Sequence, residues 1–201
     1  MLGAGNFGIV LRDPELPTNA IKLYYDLWDT QAIKQEAELQ TAAQKALTGI
    51  AHVPKVYTVL AQPTLFQGNQ YLKGIIMDRV PFPDGFNFAV HMLLGYDQYD
   101  IDTEWGRDMK RPVGPDNPTR GFHAGPSMLE AIWEDEGVDM TIEKLAFTMG
   151  KGTAALLDAG ILPLDIEWMY GGNGLIYLID FGLAEFRHVD KNVYLLGRSS
   201  E

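Results

Sequence analysis

Residues 175–185 read Leu-Ile-Tyr-Leu-Ile-Asp-Phe-Gly-Leu-Ala-Glu, so an aspartate and a glycine directly follow an apolar run. The run from Leu175 to Ile179 predicts a buried strand, and residues 166–169 predict a partner strand before it. The intervening Tyr-Gly-Gly-Asn-Gly is typical of a hairpin turn. A carboxylate at the end of a buried strand suits Mg²⁺, which in nucleotide sites takes one or two carboxylates. Asp180 is therefore a predicted metal ligand.

The N-terminal segment carries Gly3, Gly5, Gly8 and Val10 in the pattern G-x-G-x-x-G-x-V. In a dinucleotide-binding fold the third glycine opens a helix, whereas here Ile9-Val10-Leu11 favours a strand. Glycines in a strand–turn–strand let backbone N–H groups approach phosphate oxygens without obstruction from side chains. A plain hairpin is the alternative interpretation of the same residues.

Lys22 interrupts the otherwise apolar strand that begins Ala20-Ile21. A lysine that holds phosphate oxygens needs a carboxylate to orient it and to offset its desolvation. A helix is expected over about residues 31–48, capped by Asp29 or Thr30 and stopped by Gly49. Its Glu36 or Glu38 can supply that carboxylate, and Glu36 is preferred because Leu39 then packs inward. The alternative is an ordinary solvated lysine with glutamates on an exposed helix face.

Further strands are expected over residues 53–60 and 71–80, which gives the order β-β-α-β-β. Because the connections are short, the sheet is expected to be mostly antiparallel. The remaining expectations are a helix at 88–95, a long loop at 96–126, a short helix opened by the capping box at 127–130, and a buried helix at 141–159. Gly150 and Gly152 weaken this last helix, so close packing is expected to compensate.

The formal net charge of −11, from 16 basic and 27 acidic residues, argues against a nucleic-acid polymer as partner. The negative charge does not argue against a single nucleotide as ligand, because one lysine, backbone amides and a metal can bind it. No apolar run approaches the roughly 18 residues of a membrane span, and no signal peptide is visible. The chain lacks cysteine, which fits a reducing compartment. We therefore expect no membrane partner and a protein in the cytoplasm or delivered to a cytosol.

Taken in order, these segments resemble the protein kinases: the glycine motif, Ala20-Ile21-Lys22, a helix glutamate, residues 75–80 leading into a hinge, and residues 179–185. The middle of the chain also resembles aminoglycoside phosphotransferases, through Glu36-Ala-Glu-Leu and Val53-Pro54-Lys55-Val56. The stretch 165–171, Asp-Ile-Glu-Trp-Met-Tyr-Gly, is similar to an uncharacterised family of fungal kinase-like proteins. The resemblance covers about residues 2–187.

The resemblance implies an α+β, two-lobed protein-kinase-like fold. Residues 1–80 would form an N-lobe with a small antiparallel sheet and one helix, and residues 81–201 a reduced, mainly helical C-lobe. ATP would occupy the cleft, with the glycine loop over its phosphates, Lys22 on the α- and β-phosphates and Mg²⁺ on Asp180. The residues implied to contact the nucleotide are Gly3, Gly5, Gly8, Val10, Ala20, Lys22, Glu36, Met77, Asp78 and Val80. The backbone of Asp78 and Val80 would meet the adenine, and the implied activity is ATP-dependent phosphoryl transfer to a protein or small-molecule hydroxyl.

The catalytic loop departs from the family pattern, because no H-R-D string is present. In one placement Asp165 is the general base, and Tyr170 stands where the family has a metal-binding asparagine. In the other, Asp165 is a second metal ligand, Gly160 stands where the base should be, and Asp158 is the nearest substitute. The gap of 15 residues from Asp165 to Asp180 favours the second placement, since the hairpin then needs no deletion.

The C-terminal end also departs from the pattern, because only 16 residues follow Glu185 and they contain no A-P-E. We therefore expect a minimal domain or a fragment. Two other functions stay open. One is a pseudokinase, which would act as a binding module without efficient catalysis, and the other is a kinase-fold enzyme that transfers another group.

Overall fold

A computed structural model of the chain describes residues 2–4, 7–25, 29–60, 64–66, 69–71, 73–81, 134, 141–164, 166–171 and 175–188. Several expectations lie outside these residues: the helix at 88–95, the loop at 96–126 and the capping box at 127–130. Gly5 and Asp165 also lie outside them. Within the described residues the fold is α+β, as expected, with a small antiparallel sheet and two long helices.

The helices are α1 (Thr30–Ala46) and α2 (Ile142–Asp158). The strands are β1 (Gly3–Ala4), β2 (Gly8–Arg12), β3 (Asn19–Tyr24), β4 (Val56–Leu60), β5 (Thr64–Phe66), β6 (Asn69–Tyr71), β7 (Lys73–Asp78), β8 (Ile161–Leu162), β9 (Glu167–Tyr170), β10 (Ile176–Ile179) and β11 (Glu185–Phe186).

The main sheet has the strand order β1-β2-β3-β7-β4, and all neighbouring pairs are antiparallel. The expected antiparallel arrangement is thus confirmed for this sheet. The small β5–β6 hairpin between β4 and β7 was not predicted. Its strands are three residues long, too short for an alternating hydrophobic pattern to identify them.

Helix α1 matches the helix expected over residues 31–48. Asp29 is its N-cap, since the Asp29 Oδ1 atom accepts a hydrogen bond of 2.7 Å from the N–H of Ala32. After the helix, Gly49 adopts a φ of 76°, a left-handed conformation that favours glycine. One face of α1 is buried and includes Ile33, Glu36, Ala37, Leu39, Gln40 and Ala43.

Helix α2 packs closely against the β9 strand, because Gly152 lies directly under the Trp168 ring. A Cβ on Gly152 would overlap the Trp168 Cη2 atom. The close packing expected at Gly152 is therefore present. This contact belongs to the largest core cluster, formed by Leu39, Ala43, Leu47, Val53, Leu145, Met149, Leu156, Ile161, Ile166, Trp168, Ile176, Leu178, Phe181 and Ala184. The cluster joins the end of α1 to α2 and the C-terminal strands.

Replacing Gly152 with alanine is expected to lower the free energy of unfolding by about 1–3 kcal/mol, the usual cost of overpacking a core. The gain in helix propensity, about 1 kcal/mol, offsets only part of this cost. Urea denaturation of the variant measures the change. Lys151→Ala, an exposed change in the same turn, is the control. Parental stability of the Gly152 variant would contradict the close contact with Trp168.

The hairpin expected near the C-terminus is present as β9 and β10, which pair antiparallel with Ile179 opposite Glu167. His52, in the connection after α1, forms a parallel bridge to Tyr177 of β10. Its N–H donates to the Ile176 carbonyl and its carbonyl accepts from the Leu178 N–H, both at 2.8 Å. This bridge ties the α1–β4 connection to the strand that ends at Asp180.

Within the part of the chain that the structure describes, no helix is both long and apolar enough to cross a membrane.

Candidate active site

Three charged side chains from distant parts of the sequence meet at one point. The Lys22 Nζ atom donates to Glu36 Oε1 at 2.7 Å and to Asp180 Oδ1 at 2.9 Å. Lys22 and Glu36 are nearly inaccessible, with side chains 11% and 2% exposed, whereas Asp180 is 31% exposed. The cluster is therefore closed on the α1 side and open to solvent at Asp180.

The sheet and α1 position the buried pair. Lys22 lies in β3 between Val10 of β2 and Ile75 of β7. Glu36 lies on the buried face of α1, whereas Glu38 is exposed. Lys22 consequently pairs with Glu36, the glutamate preferred from the sequence.

Asp180 follows β10 directly and adopts a φ of 60°, in the left-handed region. This conformation costs a non-glycine residue roughly 1–2 kcal/mol, although aspartate tolerates it better than most residues. Such strain persists where the surrounding structure fixes the backbone, and here the β9–β10 hairpin and the His52 bridge do so. The turn directs the Asp180 carboxylate toward Lys22.

The glycine-rich segment contacts the same region. A Cβ built on Gly182 would lie 3.5 Å from Asp180 Oδ1, 3.6 Å from Glu36 Oε2 and 3.6 Å from Phe7 Cδ2. The Phe7 ring therefore lies beside Gly182 and the acidic cluster. Gly8 is needed for a separate reason, since a Cβ there would overlap the Leu23 carbonyl oxygen across the β2–β3 pair. Strand pairing alone thus explains why a glycine stands at this position.

Strand register places the other expected contact residues on the same sheet face as Lys22. Val10 is directly opposite Lys22, and Ala20 is directly opposite Met77. Directly opposed residues share a face, and so do residues two apart in a strand, such as Ala20 and Lys22. Val10, Ala20, Lys22 and Met77 therefore form one continuous surface.

Asp78 is held by several hydrogen bonds to Lys55, just before β4, and to Tyr57, in β4. Its N–H donates to the Lys55 carbonyl at 2.9 Å, and its carboxylate accepts from the Lys55 N–H at 3.0 Å and from the Tyr57 hydroxyl at 2.6 Å. The hydrogen bond to Asp78 raises the pKa of Tyr57. The Asp78 N–H is already bonded to the Lys55 carbonyl. If the backbone of Asp78 contacts adenine, as expected, the contact must therefore be made by the Asp78 carbonyl oxygen. Val80 is buried close by.

The pKa of Lys22 is raised well above its ordinary value. Burial acts to lower it, but the Glu36 and Asp180 carboxylates outweigh burial and stabilise the ammonium. The pKa of Tyr24 is also raised well above its ordinary value, chiefly by burial, and the charge of Glu36 adds to the rise while Lys22 opposes it. At neutral pH the site therefore contains an ammonium beside a protonated phenol.

These shifts predict loss of stability at alkaline pH. Both groups hold their protons more tightly in the folded chain, so the free energy of unfolding falls as pH rises above their unfolded pKa values of about 10 to 10.4. Urea denaturation between pH 8 and 11 measures the slope. Tyr24→Phe, which removes one of the two titrating protons, is expected to fall less steeply. A parental curve that stays level up to pH 11 would contradict the shifts.

The candidates from the altered catalytic loop lie at or near the end of α2. Asp158 is its last residue and is exposed. Gly160 adopts a φ of 73°, and its carbonyl accepts from the Arg187 N–H at 2.8 Å. A Cβ on Gly160 would lie 2.7 Å from the His188 Cε1 atom, so the His188 ring fills the space beside this glycine.

The β8–β11 register gives a direction to this loop. Leu162 is opposite Glu185, and the chain running back from Leu162 to Gly160 lies beside β11 in the direction of Arg187. Both placements of the catalytic loop stay predictions.

Tyr24 is a residue of the site that sequence reasoning did not identify. The Lys22 Nζ atom lies 5.2 Å from the centroid of its ring, within the range of a cation–π contact. The available signal was its position two residues after Lys22 in a strand, which puts both side chains on one face.

Among the described residues there is no group of three or more histidine, cysteine, aspartate or glutamate side chains arranged to hold a metal ion. No protein-family model matches the chain, and no curated protein matches it either.

Proposed function

We propose that this protein is an ATP-dependent phosphotransferase with a two-lobed, protein-kinase-like fold. The single observation that carries the proposal is the contact of one buried ammonium, that of Lys22, with both Glu36 and Asp180, at 2.7 and 2.9 Å. A buried lysine with two carboxylate partners from different elements, open to solvent on one side, is the arrangement expected of a phosphate-binding lysine beside a metal ligand.

Lys22 is the proposed ligand of the phosphates. An ammonium has three N–H donors, and the two carboxylates use two of them. The third donor is available for a phosphate oxygen of the bound nucleotide. Glu36 fixes the position of the ammonium, and the raised pKa of Lys22 keeps its charge at neutral pH.

Asp180 is the proposed ligand of Mg²⁺. Its partly exposed carboxylate supplies the hard oxygen atoms that this ion prefers. One such carboxylate is enough for a Mg²⁺ ion that takes only one or two carboxylates from the protein in nucleotide sites. Mg²⁺ would neutralise charge that develops on the transferred phosphoryl group. The turn at Asp180 and the β9–β10 hairpin hold the carboxylate in place for it.

The nucleotide base and phosphates would occupy the surface beside Lys22. The face formed by Val10, Ala20 and Met77 offers apolar contacts to an adenine ring. The Asp78 carbonyl and the Val80 backbone are the proposed polar contacts at its edge. Gly3, Gly5 and Gly8 would cover the phosphates. The cleft would lie between an N-lobe of residues 1–80 and a C-lobe of residues 81–201.

Asp165 is the proposed general base for the acceptor hydroxyl, which belongs to a protein or a small molecule. Asp158, which is exposed at the end of α2, is the alternative base. General base catalysis contributes about 10²–10⁴-fold, so transfer would be slowed rather than abolished by its loss. A location in a cytosol, where Mg-ATP is plentiful, is part of the proposal.

A pseudokinase is the second candidate, and one observation favours it. The direct Lys22–Asp180 ion pair gives the Asp180 carboxylate a cationic partner without a metal or nucleotide, so the site is also compatible with a purely structural role. A kinase-fold enzyme that transfers another group from a nucleotide is a further alternative.

Transfer of labelled γ-phosphate from ATP tests the proposal. The parent protein is incubated with Mg²⁺ and γ-labelled ATP, and label is followed into the protein itself, added acceptor proteins and small hydroxyl compounds. Label in any of these, lost in Lys22→Ala, supports the phosphotransferase. Binding of Mg-ATP without transfer favours the pseudokinase. Transfer of a part of the nucleotide other than the γ-phosphate favours the kinase-fold enzyme that transfers another group.

A further inference from the structure

Tyr24 occupies an unusual position for a polar side chain. It is fully buried, and its ring packs in an apolar cluster with Ile33 and Ala37 of α1 and Ile75 of β7. The same ring lies 5.2 Å from the Lys22 Nζ atom. Tyr24 thus contacts the helix that carries Glu36 as well as the ammonium that Glu36 binds.

Glu36 has one oxygen atom that the ion pair does not use. Its Oε1 atom binds Lys22, but its Oε2 atom is buried and has no hydrogen-bond partner among the residues that the structure describes. Buried carboxylate oxygens are nearly always hydrogen-bonded in folded proteins. Burial raises the pKa of the Tyr24 phenol and keeps it protonated as a donor. The charge of Glu36 and a hydrogen bond with Glu36 add to the rise, which indicates that the phenol lies near this carboxylate.

Packing alone does not explain a tyrosine here. An apolar residue of similar size would fill the same space among Ile33, Ala37 and Ile75 without burying a hydroxyl group. A buried hydroxyl is unfavourable unless it makes a hydrogen bond. The choice of tyrosine is explained if both its ring and its hydroxyl act on the charged pair.

We propose that Tyr24 is a positioning residue for the Lys22–Glu36 pair. Its ring holds the ammonium on the inner face of β3, and its hydroxyl donates to Glu36 Oε2. The role rests on the proposed nucleotide site. If Asp180 held Mg²⁺, Lys22 would keep Glu36 as its carboxylate partner, and Tyr24 and Glu36 would keep the ammonium directed at the phosphates.

The first test measures Lys22 itself, in the absence of nucleotide. Trace acetylation of the intact protein near pH 9, read by mass spectrometry, reports the unprotonated fraction and the accessibility of this amine. Tyr24→Phe keeps the ring and is expected to raise Lys22 labelling about twofold, whereas Tyr24→Leu removes ring and hydroxyl and is expected to raise it about tenfold. Phe147→Leu, an exposed aromatic change on α2, is the control and should match the parent.

The second test compares the same variants in Mg-ATP binding and γ-phosphate transfer. A positioning role lowers kcat in Tyr24→Phe with little change in KM, and lowers it further in Tyr24→Leu. Labelling and kcat unchanged in Tyr24→Phe and Tyr24→Leu, in a protein that binds Mg-ATP, would overturn the positioning role alone. A parent that binds no Mg-ATP overturns the proposed function, and the positioning role with it. If Tyr24→Leu does not fold, Tyr24→Phe decides both tests.

Discussion

Replacing Lys22 with methionine is expected to lower the free energy of unfolding by about 3–5 kcal/mol at neutral pH, the usual cost of breaking a buried ion pair by removing one partner. The reason is the environment of Glu36, whose side chain is only 2% exposed and whose Oε1 atom binds Lys22. Methionine fills the space of the lysine stem but leaves the Glu36 charge buried without its cation. Urea denaturation at pH 7 measures the loss.

Two further variants test whether the loss of stability comes from the Lys22–Glu36 ion pair. Lys34→Met removes an exposed lysine from α1 and should change stability by less than about 0.5 kcal/mol, as surface substitutions usually do. The double variant Lys22→Met with Glu36→Leu removes both charges, so it should regain most of the lost stability. A Lys22→Met protein as stable as the parent would show that the ion pair does not form in solution.

Replacing Asp180 with asparagine is expected to slow phosphoryl transfer by about 10³-fold, because a catalytic metal contributes several kcal/mol to the stabilisation of transition-state charge. Asparagine keeps the shape of the side chain and tolerates the φ of 60° found at this position. The fold should therefore survive, and the loss should be one of metal-dependent chemistry. Initial rates of γ-phosphate transfer measure it.

Glu185→Gln is the matched control for Asp180→Asn. It removes one negative charge from an exposed residue five positions further along the chain, in β11. Its transfer rate should stay within about twofold of the parent, since exposed charges contribute little. Equal transfer rates for Asp180→Asn and the parent would exclude Asp180 as the metal ligand.

The sequence identified the elements that have strong local signals. The apolar run before Asp180 and the glycine-rich turn before it predicted the β9–β10 hairpin, and Asp29 with Gly49 predicted the limits of α1. The preference for Glu36 over Glu38 followed from helical spacing, because only one of them can share the buried face with Leu39.

Other features depend on long-range pairing, which local patterns do not encode. The bridge from His52 to β10 and the binding of Asp78 by Lys55 and Tyr57 each join separated segments. Their residues are exposed or partly exposed and follow no periodic pattern. The position of Tyr24 beside Lys22 was also not predicted, since a tyrosine in an apolar strand is ordinary until its neighbours are known.

Sequence spacing alone does not determine the role of Asp165 in the altered catalytic loop. Counting the 15 residues from Asp165 to Asp180 favoured Asp165 as a second metal ligand. The pairing of Leu162 with Glu185 fixes the register of β8, and it leaves the role of Asp165 open. Strand register in a two-residue strand leaves no signature in the sequence. Asp165 therefore stays a predicted site residue, as general base or as second metal ligand.

Direct titration of the parent protein with ATP tests the central claim, that Lys22, Glu36 and Asp180 form one site for a magnesium nucleotide. Isothermal titration calorimetry is performed once with Mg²⁺ and once with EDTA. We expect one site whose affinity for ATP is at least about tenfold higher with Mg²⁺, and we expect Asp180→Asn to lose this metal dependence. Absence of binding, or equal affinity with and without the metal, would contradict it.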